Sequence, residues 1–223
     1  ILWVDRIMIG KYCNPELVGI YQVCCQSVMV FSMIVVAFAL SVGPSISKLY
    51  HLSDFEEINR LYTSSIRWTT YICCPLIIAI LIKPALFISL IFGESYASGS
   101  IALSILIISK LVHIFIGSIG YLLVMTNHQI IWAKITFLIL LLNITLNYWL
   151  IPLYSIIGAA ISSFLSISLL FIIGAFISYS KISINVFNID SLKILFSFIL
   201  SLFLMYYIKD YFLNNFIFSI LFF

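Results

Sequence analysis

Charged residues are scarce in this chain of 223 residues, where 11 lysines and arginines and 8 aspartates and glutamates make up only 9%. Soluble domains carry about 25% charged residues, because a surface in contact with water needs them. Hydrophobic residues account for 64% of the chain, which excludes a water-soluble globular protein. The composition therefore predicts an integral membrane protein. The net charge is only +3 and no long Lys/Arg run is present, which argues against nucleic acid as a partner.

Recognisable catalytic, cofactor and metal motifs are also missing. No glycine-rich phosphate loop or G-x-S-x-G sequence is present, and the histidines lack neighbouring carboxylates or cysteines at ligand spacing. The cysteines stand singly at Cys13 or as the doublets Cys24–Cys25 and Cys73–Cys74, too close together for a metal site and typical of small buried hydrophobic residues. We therefore expect no metal, no cofactor and no enzymatic activity.

Long apolar runs fill most of the chain, and a helix needs about 20 residues to cross a bilayer. Six runs are candidate spans, five of them full length or nearly so, and they are separated by Gly-Pro, Ile-Pro or polar breaks. These predicted spans are Val18–Val42, Trp68–Phe92, Ile101–Met125, Ile130–Leu150, Ser155–Ser178 and Ile194–Ile208. The fold predicted is all-α, a polytopic transmembrane helix bundle forming a single domain over residues 1–223.

One connection, residues 45–67, is different because it is polar and patterned. Ser53 and Glu56 have the spacing of a capping box, and apolar residues then recur at helical spacing from Phe55 to Tyr62. This pattern predicts an amphipathic helix at the cytoplasmic face, either a linker that lies along the interface or an extension of a span into water. The connections 45–67, 126–134 and 178–193 together hold six lysines and arginines, against four on the opposite side, so the positive-inside rule favours the first set as cytoplasmic.

Both ends of the chain lie within apolar runs. Ile1–Ile9 is too short to span and precedes a polar break at Gly10–Pro15, while Tyr211–Phe223 is similarly short. We interpret both as truncated helices and expect the chain to be a fragment of a longer transporter.

A few polar residues within the apolar runs are the candidate functional residues. Lys110 lies near the middle of its predicted span, with His113 three residues later on the same helix face. A cation there predicts either a substrate-binding group in a water-filled cavity or a side chain that reaches towards the interface. Asn143 and Asn147 share a face, as interhelical contacts or as substrate contacts.

The remaining candidates are Asp5 and Arg6, adjacent charges near the end of the first truncated helix. They predict either an ion pair that anchors the helix end at the interface or residues that line a cavity. The small residues at 158–163 predict close helix packing.

Three stretches together resemble the C-terminal half of an oligosaccharide flippase, the O-antigen and polysaccharide branch of the multidrug/oligosaccharidyl-lipid/polysaccharide exporter superfamily. They are VDRIMIGKYCNPELVGIY, GPSISKLYHLSDFEEINRLYTSSIRW continuing to LIFGESY, and NITLNYWLIPLYSIIGAA. Their order and spacing cover nearly the whole chain, although no single motif is specific.

The resemblance implies a half-bundle of a two-bundle transporter in the bacterial inner membrane. Its substrate would be an undecaprenyl-diphosphate-linked oligosaccharide, moved by alternating access, with Lys110 and Arg6 suited by charge to the diphosphate. The implied partners are membrane lipids, the missing N-terminal half and, as further candidates, polysaccharide assembly proteins. Three alternatives stay open: a small-molecule or drug exporter of the same superfamily, an O-antigen polymerase, which is an enzyme, and a purely structural membrane subunit.

Overall fold

The computed structural model describes residues 2–184 and the isolated positions 196, 200 and 201. Helices account for nearly all of the described chain: α1 Leu2–Tyr12, α2 Pro15–His51, α3 Phe55–Ile82, α4 Pro84–Phe92, a 3-10 turn Glu94–Gly99, α5 Ser100–Ile116, α6 Ile119–Met125 and α7 Gln129–Ile182. Apart from the three isolated positions, the predicted span at 194–208 and the truncated helix at 211–223 lie outside the described residues.

Four described segments are long and apolar enough to cross a membrane: Pro15–His51, Phe55–Ile82, Glu94–Met125 and Gln129–Ile182. The prediction of an all-α polytopic bundle is confirmed. The predicted turn at 126–129 is also found, because α6 ends at Met125 and α7 begins at Gln129.

The longest element, α7, contains two of the predicted spans. At Ser155 the backbone leaves helical geometry, with φ 53° and ψ −131°. A straight helix would separate Trp132 from Gly174 by about 60 Å, yet the Trp132 ring lies 2.9 Å from the position a Cβ on Gly174 would take. The chain therefore reverses at Ser155, and α7 consists of two antiparallel arms, residues 129–154 and 156–182.

The predicted helix stop at Gly43–Pro44 is wrong. The helix α2 continues through Pro44 to His51, because neighbouring helices compensate for the hydrogen bond that a proline removes within a span. Ile46, beyond the proline, is buried with Ile58 of α3 in one core cluster. Gly43 instead allows α2 to pack closely against Met125, since a Cβ at Gly43 would lie 3.3 Å from the Met125 side chain.

The stretch at 45–67 is a helical hairpin, not a separate linker helix. It comprises the end of α2, the turn Leu52–Asp54 and the start of α3. The predicted capping box is displaced by one residue, because Asp54 Oδ1 accepts from the backbone N–H of Glu57 at 3.1 Å. The amphipathic pattern holds: Ile58 and Tyr62 are buried, and the acidic residues face outwards.

Two core clusters divide the bundle along its length. One gathers the hairpin at 45–67, α6 and both ends of α7, and includes Ile46, Ile58, Leu123 and Ile182. We call this the hairpin end. There the rings of Tyr50 and His128 are in contact, with their centroids 6.3 Å apart. The other cluster joins α1, the first half of α2, α3, α5 and the turn of α7. At that Ser155 end, Cys13 Sγ lies 3.4 Å from Ser155 Oγ.

The three connections that the charge count grouped on one side thus meet at the hairpin end, as far as the chain is described. These three connections lie on one side because successive spans run in opposite directions. Which of the two ends faces the cytoplasm stays a prediction from the charge bias.

Between the clusters, the third span is interrupted. The helix α5 ends at Ile116, and Gly117 takes φ +79°, a conformation that favours glycine. The freed Ile116 carbonyl accepts a hydrogen bond of 2.7 Å from the hydroxyl of the buried Tyr62, so the break leaves that group satisfied inside the bundle. A Cβ at Gly117 would lie 2.7 Å from Ile66 Cγ1.

We expect Gly117→Ala to lower the thermal unfolding midpoint more than Gly93→Ala. Both glycines combine a positive φ with an extended ψ, a conformation that is essentially restricted to glycine and costs alanine about 1–3 kcal/mol. Only Gly117 adds a steric clash, because nothing lies within 4 Å of a Cβ at Gly93. Overpacking of this kind costs about 1–3 kcal/mol more. Thermal unfolding of the purified chain in detergent measures the difference, and equal midpoints for the two variants would contradict the packing described.

Candidate functional site

A buried carboxylate is the centre of the polar site. Asp5 lies on α1 with no solvent exposure, and its Oδ1 accepts a hydrogen bond of 2.7 Å from Asn147 Nδ2. Its Oδ2 accepts from the Tyr21 hydroxyl at 3.0 Å and from the Ser163 hydroxyl. These donors come from α2 and from both arms of α7, so one side chain bonds three other segments.

The two asparagines form one side of this site. Asn143 and Asn147 are four residues apart on the first arm of α7 and therefore share a helix face. Asn147 Nδ2 also donates to Asn143 Oδ1 at 3.2 Å, and both side chains are fully buried. Asn143 Nδ2 and Asn147 Oδ1 have no hydrogen-bond partner. We call the residues Asp5, Tyr21, Asn143, Asn147 and Ser163 the Asp5 cluster.

Arg6 does not pair with Asp5, so the interfacial ion pair that the sequence suggested is wrong. Successive residues of a helix point about 100° apart, and this rotation directs Asp5 inwards while Arg6 turns aside. The Arg6 guanidinium lies over the Trp3 ring, 4.6 Å from its centroid. Its Nε is buried without a hydrogen-bond partner.

The second charged position in the bundle is Lys110 on α5. The side chain is 7% exposed, and its ammonium donates to Ser32 Oγ on α2 at 2.8 Å. In the described chain no carboxylate forms an ion pair with it. Cys25 on α2 lies in the neighbourhood of Lys110, Asp5 and Arg6.

His113 belongs to a different environment from Lys110. Its ring stacks on Phe171, with centroids 4.2 Å apart and planes at 20°. It borders a cavity of about 380 Å³ that Trp132, Tyr121 and Met125 also line. His113 and Lys110 share a helix face as predicted, but the structure does not bring His113 to the Asp5 cluster.

Chemically, the Asp5 cluster presents a carboxylate and amide and hydroxyl oxygens inside a membrane helix bundle. An isolated carboxylate is costly in such surroundings, and its four neighbours carry no formal charge. The arrangement is suited to hold a proton or a small monovalent cation. The Lys110 position, in contrast, is suited to an anion, since within the described residues its ammonium donates to a neutral hydroxyl and to no carboxylate.

Sequence reasoning missed Tyr21, Ser163 and Ser32. Ser163 lies within the small-residue stretch that predicted packing, and that stretch does pack: Ala159 and Ala160 are fully buried. The spacing of a serine on a helix does not tell a packing residue from a hydrogen-bond donor. Ser163 is a hydrogen-bond donor because Asp5 lies across the interface from it.

The chain is similar to known membrane proteins of glycan assembly. A family model described as polysaccharide biosynthesis protein matches residues 3–101. A probable flippase of Haloferax volcanii is 27% identical over 170 residues, 75% of this chain and 36% of the relative. A probable low-salt glycan biosynthesis flippase of the same archaeon is 25% identical, over 82% of this chain and 39% of the relative.

A putative O-antigen transporter of Shigella flexneri is 26% identical, over 72% of this chain and 38% of the relative. The chain thus spans less than two fifths of the length of these curated relatives. No solved structure matches it.

We expect Ser163→Ala to destabilise the chain and Ser166→Ala to leave its stability unchanged or raise it. Both serines are fully buried on the second arm of α7, but only Ser163 bonds Asp5, whereas Ser166 Oγ has no partner. Losing a hydrogen bond to a charged group costs about 1.5–3 kcal/mol, and removing an unsatisfied hydroxyl costs little. Thermal unfolding in detergent compares them; a larger loss for Ser166→Ala would show that the cluster is misplaced.

Proposed function

We propose that this chain, a polysaccharide flippase-type membrane protein, forms part of a transporter that moves a lipid-linked oligosaccharide across a membrane by alternating access. The support is its similarity to relatives named as flippases and as an O-antigen transporter. Because the chain spans only part of those relatives, transport requires the remaining half of the transporter as a partner. The chain acts as a transporter and not as an enzyme.

The observation that carries this proposal is a pair of buried ionisable side chains, Asp5 and Lys110, inside membrane helices without a salt bridge to each other. Ionisable groups at such depth are costly, about 2.5–3.5 kcal/mol for a lysine on insertion scales. A bundle with a purely structural role would favour apolar residues at these positions. Their presence is explained when each has a ligand of opposite charge during transport.

In the transport cycle, Lys110 binds the diphosphate of the substrate. Ser32 holds its ammonium at 2.8 Å in the substrate-free chain, and a phosphate oxygen replaces this neutral acceptor when α2 and α5 separate. Charge-assisted hydrogen bonds are roughly twice as strong as neutral ones, so the exchange favours the bound state. Arg6, whose Nε has no partner, is the second candidate for the diphosphate.

The Asp5 cluster supplies the other half of the cycle. Binding or release of a proton or small cation changes the charge at the point where α1, α2 and both arms of α7 meet. The packing of these helices depends on that charge, because α1 carries the carboxylate, and α2 and both arms of α7 donate hydrogen bonds to it. Asn143 and Asn147 act there as positioning groups, and neither contacts the sugar.

For the cellular location, we propose the bacterial inner membrane, with the hairpin end towards the cytoplasm. The positive-inside count supports this orientation. The substrate is then an undecaprenyl-diphosphate-linked repeat unit of O-antigen or another polysaccharide, and polysaccharide assembly proteins are further partners.

We expect Lys110→Gln in the full-length parent to reduce surface polysaccharide, whereas Lys134→Gln does not. Losing one charge-assisted contact to phosphate costs about 1.5–3 kcal/mol, which corresponds to roughly tenfold or more in affinity. Lys134 is an exposed lysine of α7 and serves as the matched control. The measurement is surface polysaccharide in a strain that lacks its own flippase. Undiminished polysaccharide with Lys110→Gln at normal expression would refute the role of this residue.

Asp5→Asn tests the cluster separately. It removes the charge while keeping the side-chain shape, so we expect transport to lose its dependence on the ion gradient. The measurement is uptake of lipid-linked oligosaccharide into vesicles, with the full-length parent, with and without an imposed proton or sodium gradient. Ser166→Ala is the control on the same interface. If Asp5→Asn responds to the gradients as the unsubstituted protein does, Asp5 has no coupling role.

A further inference from the structure

A groove lies along α1 and the first arm of α7, and none of the Asp5 cluster residues lines it. It has a volume of about 530 Å³, within the range of small-molecule sites. Its apolar wall consists of Val4 and Met8 on α1 and Ile144 on α7. Its remaining lining residues are Thr145 and, at one end, Lys11, Tyr12 and Tyr148.

The end of the groove carries a cation that is not neutralised. Lys11 is exposed, and none of the described carboxylates lies within ion-pair distance of it. Its ammonium lies 5.5 Å from the centroid of the Tyr12 ring. Tyr12 in turn makes an edge contact with Tyr148, the centroids being 6.3 Å apart. One positive charge and two phenol rings therefore border one end of an otherwise apolar groove.

The order of these residues along α1 matches the depth profile of a membrane. Lys11 and Tyr12 are the last residues of α1, at the Ser155 end of the bundle, where lysine and tyrosine are favoured at the level of lipid headgroups. Val4 lies seven residues earlier, about 10 Å deeper by the helical rise. The groove is polar where a headgroup lies and apolar where an acyl chain lies.

We propose that this groove binds an anionic glycerophospholipid, with its phosphate at Lys11 and one acyl chain along Val4, Met8 and Ile144. The charge complementarity favours an anionic headgroup over a zwitterionic one, since a choline would place a second cation beside the lysine. The Asp5–Asn147 hydrogen bond joins the same two segments that border the groove. This site is independent of the transported substrate and of the proposed function.

The experiment measures lipid retention by the full chain. The purified protein in mild detergent is incubated with dioleoyl phosphatidylglycerol or dioleoyl phosphatidylcholine, and native mass spectrometry counts the bound lipids. We expect more phosphatidylglycerol than phosphatidylcholine on the unsubstituted chain. Lys11→Gln should reduce bound phosphatidylglycerol roughly fivefold, the contribution of one interfacial lysine to anionic lipid binding, and should leave phosphatidylcholine unchanged.

Lys83→Gln is the matched control, because Lys83 is an exposed lysine outside the groove. A second variant, Thr145→Phe, fills the groove without touching Lys11 or the Asp5 cluster and should also reduce retention. Size-exclusion profiles and unfolding midpoints check that both variants are folded. Equal retention of the two lipids, an equal loss with Lys83→Gln, or displacement of phosphatidylglycerol by soluble glycerol 3-phosphate would each overturn the proposal.

Discussion

The hydrogen bonds of one buried carboxylate constrain how the helices at the Ser155 end can pack. Asp5 is fully buried and receives bonds from Tyr21, Asn147 and Ser163. A carboxylate without such donors would be too costly in an apolar interior, so α1, α2 and both arms of α7 must meet at this point. The reversal at Ser155 follows the same requirement, because it brings Asn147 and Ser163, eight residues on either side of the turn, to one acceptor.

The helices at the hairpin end are held together by apolar contacts and by a side-chain hydrogen bond to the backbone carbonyl at the end of α5. Tyr62 bonds the Ile116 carbonyl where α5 stops, and Gly117 allows the chain to turn there. The two core clusters meet at this break. Within lipid each backbone group needs a partner, and a tyrosine hydroxyl supplies it here, so a discontinuous span is compatible with a packed bundle.

Much of the fold follows from hydropathy, whereas the partners of the polar groups do not. Apolar run length locates spans because each helix meets lipid independently, and the break predicted between Met125 and Ile130 lies at residues 126–128. The same reasoning failed at Gly43–Pro44, since a proline ends a helix only where neighbours do not compensate. Asp5 and Arg6 looked like an ion pair because they are adjacent in sequence, but helical rotation separates them. Ser163 could not be recognised, because its acceptor lies 158 residues away.

The separation of charges in the bundle bears on the transport proposed above. If Asp5 and Lys110 formed a salt bridge, a diphosphate would have to break it, and breaking a buried pair costs about 3–5 kcal/mol. Instead each charge is held by neutral groups: the ammonium by Ser32, the carboxylate by hydroxyls and an amide. A ligand then replaces a weak neutral contact, not a strong ionic one.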